Sequence, residues 1–440
     1  MKRYLPGILA LGLLAGPAAA EEAVRAGAAK VNITPAVETF KDSNGNGKFD
    51  PGEPFADLNG NGLWDPVWIA GYQKERFALG AHDDLWVRCL ALVRGKTTLL
   101  LISVDSIGVL FDDAALAKGL IRDELGISPE NVIIAATHDH SGPDTIGLWG
   151  EGDKSGKDPE YLRSLRRKIL ECAGAAVKDV RPARFAFGRT RYSNVIEDSR
   201  PPKVINDLLL SVRIADEEGR GIATLVNYAM HAEVLNGRNR FLTSDYPGVL
   251  REKLEDKFGG VGIFFPGDIG GMQSPWVLFH TFWTRGRVGS VLADKVIGSL
   301  KNQALLPVTD LSLSSEDLLL PVDNPRFLRA IQAGLFGDSA LYAKKEGETV
   351  RLPARVVLVR LGPALIATVP GELFPELGNV FRERMAGEYK FLFGLADNEI
   401  GYIVPEDGWR EDGYEEGMSL GPKTGVLLLD AFTRVLPPRQ

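Results

Sequence analysis

Cysteine is nearly absent: the 440 residues contain only Cys89 and Cys172. That excludes a disulfide-knit scaffold, and two cysteines so far apart make no zinc knuckle. They form either one bridge or two buried thiols, and residue order does not choose between these. Basic blocks are missing too. Lys+Arg 51 against Asp+Glu 58 gives a formal net charge of −7, so the positive footprint that binds phosphate backbones is lacking and a nucleic-acid partner is excluded. Beyond the N-terminal leader no apolar run approaches the roughly eighteen residues that span a bilayer. There is no Pro/Ser-rich linker and no low-complexity tract. What remains, 45% hydrophobic and 25% charged residues, rules out disorder, collagen and coiled coil and leaves material for a large core.

The leader itself has an order. Lys2 and Arg3 precede an apolar stretch, and Ala18, Ala19 and Ala20 supply small residues before Glu21 and Glu22. This is the pattern of a secretory signal peptide cleaved near Ala20, too short and too proline-interrupted for a membrane anchor. Residues 21–440 are therefore expected as one secreted or periplasmic domain.

Within that domain apolar runs alternate with helical periodicity. Residues 97–104, 132–137, 222–228, 261–265, 356–361 and 365–369 read as buried strands, after a first strand at 28–35. Residues 112–125 and 159–177 read as helices, and 295–300 as the end of another. Short apolar strands between helices predict an α/β fold with mixed or largely parallel sheets, whose active site lies at the C-terminal strand ends. Residues 302–348 are less regular and read as an insertion or lid.

Between the first strand and the rest lies a polar insertion at about 42–68. Asp42, Asn44, Asn46, Asp50 and Glu53 stand at positions 1, 3, 5, 9 and 12 of a loop with Gly47 at position 6, the twelve-residue calcium pattern. It recurs as Asp57, Asn59, Asn61 and Asp65, with Trp68 at the twelfth position. The expectation is structural Ca²⁺, held more weakly in the second loop for want of a final acid. The flanks do not read as helices.

Histidine is scarce: His82, His138, His140, His231 and His280 are all there are. Three of the five follow strand-like runs, His138 and His140 after VIIAAT and His231 after ATLVNYAM. Imidazoles gathered at the ligand-binding edge of a sheet predict a catalytic zinc site. Asp245, Asp268, Glu372 and 397–402 are the acidic candidates by the same placement.

ATHDHSGP at 136–143, NYAMHAE at 227–233, SDYPG at 244–248, PGE at 370–372 and NEIGYIVP at 398–405 together resemble the neutral/alkaline, non-lysosomal ceramidases, in the same order and from about residue 28 onward. The resemblance implies zinc held by His138, His231, Glu372 and Tyr402. It implies that His140 contacts the scissile amide, with Arg200 and Tyr414 as further active-site groups. The implied activity is cleavage of the N-acyl amide of ceramide-like lipids. Zinc lowers the pKa of a bound water to about 7, and the hydroxide attacks the carbonyl while His140, Tyr414 and Arg200 stabilise the oxyanion. The implied partner is an N-acyl lipid or other small amide, met in transient contact with a membrane surface.

The chain departs from that family in places. Ceramidases carry Gly-Asp-Val-Ser-Pro where Gly267, Asp268, Ile269, Gly270 and Gly271 stand here, and Asn-Arg-Ser-Pro where Asp198, Ser199, Arg200 and Pro201 stand. The chain also ends soon after Tyr414, without an immunoglobulin-like C-terminal domain, and the calcium-like insertion is no part of the pattern. The alternative readings are a zinc hydrolase of another N-acyl compound or ester, and a non-catalytic calcium- and zinc-binding relative. The aromatic stretch at 276–283 reads first as core packing, with an acyl channel as the alternative.

Overall fold

The computed structural model describes residues 22–335, 343–347 and 349–437; the expected signal peptide lies outside them. Strands β1 (Arg25–Asn32), β2 (Trp86–Arg94), β3 (Thr97–Val104), β4 (Val132–Ala136) and β5 (Arg181–Pro182) make one sheet in the order β4-β3-β2-β1-β5. Strands β6 (Arg184–Arg191), β8 (Leu208–Ala215), β9 (Gly221–Tyr228) and β10 (Val261–Pro266) make a second, in the order β10-β9-β8-β6. The third runs β12 (Leu311–Pro321), β14 (Thr349–Leu361), β15 (Ala364–Thr368) and β17 (Tyr389–Phe393), with β13 (Lys344–Glu346) paired to β14. Two ribbons complete the set: β7 (Ile196–Asp198) with β11 (Gln273–Pro275), and β16 (Glu372–Leu373) with β18 (Tyr402–Ile403).

The sheets are mixed, and parallel pairing is the minority. Each large sheet contains one parallel pair, β3–β4, β9–β10 and β15–β17. These six strands include all the apolar runs legible in the sequence except the one inside β14. Strands buried on both faces lose the period-two alternation, and β4 is buried at every residue.

One core serves all three sheets. Leu101 and Ile133 from the first, Leu225 and Phe265 from the second, and Ile366 and Phe393 from the third belong to a single apolar cluster. Phe265 and Phe393 stack at 4.1 Å across it. Helices cover the outer faces. The first sheet packs under α1 (Phe111–Leu125) and α2 (Pro159–Lys178), the second under α3 (Asp245–Phe258) and α4 (Phe282–Leu300). The third packs under α5 (Pro325–Gln332), α6 (Pro375–Arg384) and α8 (Thr424–Val435), with α7 (Tyr414–Gly417) between the last two. In α2 the Asp158 carboxylate accepts the Glu160 amide, Pro159 opens the first turn, and Leu162, Leu165, Ile169, Cys172 and Ala176 form the buried stripe.

Two expectations need correction, and one open question is answered. The first strand starts at Arg25, because its register on β2 runs from Arg25 opposite Val93. Residues 302–348 are no irregular lid where described: β12 pairs with β14 along its whole length, and its Ser and acidic residues face solvent and hide the strand pattern. The two cysteines, left open by the sequence, are separate buried thiols. The Cys172 thiol points at the carbonyls of Ala29 and Val87, 3.3 and 3.4 Å away.

The C-terminal ends of the parallel pairs are stitched together. The Asp397 amide donates to the Ile134 carbonyl at 2.7 Å, Gly394 to Pro266 at 3.0 Å and His140 to Ala232 at 3.1 Å. Behind them, Arg251 of α3 makes a bidentate pair with Asp105 at 2.7 and 2.8 Å, both wholly buried. Among the described residues no helix is long and apolar enough to cross a membrane.

Candidate metal centre and its pocket

His138 follows β4 in a left-handed conformation, φ 59°, a strained geometry for a residue with a Cβ that is typical of functional sites. Its Nδ1–H donates to the Ile107 carbonyl at 2.7 Å. His231, after β9, donates Nδ1–H to the Gln273 carbonyl at 2.9 Å. Since a carbonyl only accepts, both bonds commit Nδ1–H as the donor and turn each Nε2 inward. Both Nε2 atoms meet Glu372 Oε2, at 3.5 Å from His138 and 3.0 Å from His231. Glu372 arrives on β16, whose partner β18 places Tyr402 directly opposite. Two nitrogens and a carboxylate from three sheet edges meet here, donor types that suit a borderline-soft divalent ion, while the Tyr402 hydroxyl donates to Met272 Sδ at 3.4 Å.

Electrostatics divide the imidazoles. Burial lowers His138 to about 3 and holds His140 well below its usual value. Burial is the largest influence on His231 and opposes its charge, yet the Glu372 bond, the Glu233 and Glu372 charges and the Gln273 carbonyl together outweigh it and lift the group to about 9. Burial and Glu372 together push the Tyr402 phenol well above 10.

His140 stands apart from the His138–Glu372–His231 contact while its ligand-capable nitrogen stays within 4.8 Å of theirs. Its Nδ1 lies 3.4 Å from Glu233 Oε2, and neither ring nitrogen has a hydrogen-bond partner among the described residues. Glu233, which sequence reasoning missed, is held by the Tyr72 hydroxyl at 3.0 Å and the Ser274 hydroxyl at 2.6 Å. Arg76 clamps the carbonyls of Ala70 and His140. Gly71, at φ 103°, lets the chain pass the His140 ring, where a Cβ would lie 2.6 Å away.

These groups open on a cleft lined by His138, His140, Glu372, Glu399, Tyr402 and Tyr414, with Ile107, Ile146, Leu148, Trp149, Phe327 and Met418 as its apolar walls. Tyr414 stands at the mouth, 65% exposed, its ring 6.1 Å from that of Tyr402. Arg200 does not line this cleft. Its guanidinium binds Glu415 at 2.9 Å, Glu416 at 2.6 Å and the Gly408 carbonyl at 2.8 Å, so it fastens the turn carrying Tyr414. Asp268 is bound by Asn206 and Arg382, and Asp397 by Lys118; both brace strand ends.

No protein-family model and no curated sequence matches the chain. Among solved structures, neutral ceramidase from Pseudomonas aeruginosa superimposes with TM-score 0.71 at 15% identity, over 94% of this chain and 74% of that one. A ceramidase complexed with C2 gives 0.72 at 17%, over 94% and 75%. The fold is that of the neutral ceramidases. On this ceramidase fold Gly270 sits beneath the metal-facing strand, where a Cβ would lie 2.6 Å from the Glu372 carbonyl and 2.7 Å from the Phe374 ring. That crowding leaves room at position 270 for glycine alone unless the neighbours shift. The Ser274 hydroxyl is engaged with Glu233.

The twin polar loops repeat atom for atom. Asp42 accepts the Gly45, Asn46 and Gly47 amides, and Asp57 those of Gly60, Asn61 and Gly62. Asp50 accepts the Asn44 and Asn46 side-chain amides, and Asp65 those of Asn59 and Asn61, each at 2.7 Å. Glu53 closes the first loop on the Ser43 and Asp50 amides. The second loop does not lack its acid: Glu38 closes it identically, on Leu58 and Asp65. The repeat unit therefore begins at a glutamate, Glu38 or Glu53, and each glutamate serves the other unit's loop. Phe40, Phe49, Trp64 and Phe77 interlock between the loops, and Ile69 pairs with Pro143 of the His140 segment.

The aromatic stretch is not core. Trp276, Leu278, Phe279 and Trp283 are exposed, around the junction of β11 with α4, where the Thr281 hydroxyl accepts the Thr284 amide as the helix cap. No acidic residue occurs between Ser274 and Ala293.

Proposed function

We propose that this chain is an exported, zinc-dependent amidohydrolase, one catalytic domain after loss of its signal peptide, that cleaves the N-acyl amide of ceramide-like lipids. The observation that carries the reading is the convergence of the His138 and His231 Nε2 atoms on Glu372 at the foot of an apolar cleft. His138, His231, Glu372 and Tyr402 hold the metal. Bound there, zinc supplies Lewis acidity and a water ionised near neutral pH.

The chain's own groups do the rest. His140, steadied by Glu233, offers its free Nε2 to the substrate carbonyl. Tyr414 presents a second donor from the mouth, and such donors act where negative charge develops. Arg200 positions Tyr414 through Glu415 and Glu416. The apolar walls take hydrocarbon, and Trp276, Phe279 and Trp283 meet the lipid surface, where amphipathic aromatics settle at the headgroup level. Asp42, Asn44, Asn46, Asp50 and Glu53 hold one structural calcium, and Asp57, Asn59, Asn61, Asp65 and Glu38 another, since oxygen-only donors suit a hard cation.

Elemental analysis beside N-acyl-sphingosine hydrolysis tests the reading. His231→Ala is expected to lose metal and activity together. His140→Ala should keep most of its zinc and lose roughly 10²–10³-fold in turnover. Full activity after zinc chelation, or an acyl group trapped on Ser274, overturns it.

A further inference from the structure

Glu399 is the one polar side chain lining the cleft, among the described residues, that neither the proposed metal set nor the oxyanion contacts employ. Its carboxyl is 7% exposed. Oε1 accepts the Gly401 amide at 2.8 Å, and Oε2 has no hydrogen-bond partner among the described residues. The backbone holds it firmly: the Glu399 amide donates to Asn398 Oδ1 at 2.8 Å, and Asn398 is itself tied to Phe111 and Pro353. Gly108 presses on its stem, since a Cβ there would lie 2.9 Å from Glu399 Cβ. A carboxyl oxygen buried and left unpaired is costly, and such groups persist where a ligand completes them.

We infer that Glu399 is a specificity residue whose Oε2 hydrogen-bonds a hydroxyl of the substrate inside the cleft, so that hydroxylated amides are chosen over plain alkyl amides. The inference rests on the hydrolase reading. A hydroxyl fits better than an ammonium because the surrounding walls are Ile107, Ile146, Leu148, Trp149, Phe327 and Met418. Stripping water from an ion there costs far more than stripping it from a neutral hydroxyl. A cleft that expects a hydroxyl rejects the analogue lacking it, because its own polar group is then left unpaired.

The test uses the zinc-loaded full chain and two substrates of equal carbon count, an N-acyl amino alcohol and the corresponding N-alkyl amide without hydroxyl. Wild type is expected to prefer the first by about 10- to 100-fold in kcat/KM, the size of one hydrogen bond to a charged or buried partner. Glu399→Leu should bring the ratio close to one at unchanged zinc content. Glu399→Gln, which keeps an acceptor, should retain a measurable preference and guards against a folding defect in the leucine variant. Equal preference in wild type and Glu399→Leu overturns the inference, as does loss of zinc in either variant, which would make Glu399 a ligand. Calorimetric binding of the same two amides separates the failures. If neither amide is hydrolysed yet the hydroxyl-bearing one binds more tightly only when Glu399 is present, the hydrolase reading falls and this one stands.

Discussion

Gly270 shows how tightly the metal site is backed. A side chain there would meet the Glu372 carbonyl and the Phe374 ring at under-contact distance. Gly270→Ser, which restores the residue the ceramidases carry, is therefore expected to destabilise by about 1–3 kcal/mol, the usual effect of overpacking. It should also lower zinc affinity by displacing Glu372. Calorimetric melting and a zinc titration check this, and an unshifted melting temperature would show that the backbone yields freely. The three histidines were legible because histidine is rare here and all three follow apolar runs. Tyr402 became visible only through resemblance, since a tyrosine after a strand carries no ligand signature. Glu233 and Glu38 were invisible for a different reason, and Glu399 was visible only as one of several polar residues in 397–402. Acids are abundant in this chain, and what distinguishes these three is a partner or a vacancy that only the folded chain creates. Glu38 comes nearest to an exception: reading the repeat from its first glutamate would have exposed it.

The polar insertion behaves as one element made of two interlocked halves. If both loops bind calcium, wild type should carry about two Ca²⁺ per chain by elemental analysis. Glu38→Ala and Glu53→Ala should each lose one and melt lower in calcium, because a ligand that binds only the native state stabilises it. In calcium-free buffer those differences should largely vanish, and zinc content should hold throughout. Loss of zinc in Glu53→Ala would show that the two kinds of site are coupled.

Helix α3 carries a pH signature of its own. Asp245, its first residue, accepts the amides of Val234, Leu235 and Tyr246, yet burial pushes its carboxyl up to about 6. A carboxyl raised above its unfolded value, about 3.9, stabilises the fold fully below that pH and loses the contribution as pH climbs through 6. Asp245→Asn should flatten the stability profile between pH 4 and 6.5 by up to about 3 kcal/mol, read from urea midpoints. A profile that keeps its slope assigns the effect elsewhere. At this scale the buried strands of the parallel pairs were readable apart from β17, whereas β12 was not. An edge strand with Ser, Glu and Asp facing water lacks an apolar signal, and its identity comes from pairing with β14.

Across the molecule, three sheets share one core and one set of stitched ends, so the site belongs to no single sheet. The Arg251–Asp105 pair crosses from the helix layer of the second sheet to the end of the first. Removing one partner leaves a buried charge alone, and Asp105→Ala is expected to cost about 3–5 kcal/mol; a denaturant midpoint close to wild type would count against it. Alternating strands and helices announced the α/β class, but strand order did not follow from it. Which strand meets which depends on contacts between residues far apart in the chain, such as the Asn227 side-chain amide donating to the Leu392 carbonyl, 165 positions away, at 2.8 Å.

The two thiols turn this architecture into something that can be timed. Cys89 and Cys172 lie in the seam between α2 and the first sheet, and burial pushes both well above the usual thiol range, Cys172 up to about 12. An alkylating reagent needs thiolate and access, so it waits for α2 to lift away. The rate of label uptake thus reports the opening frequency of one seam, away from the residues of the candidate site. Comparing that rate with and without zinc would reveal whether the far edge of the sheet feels the metal at all.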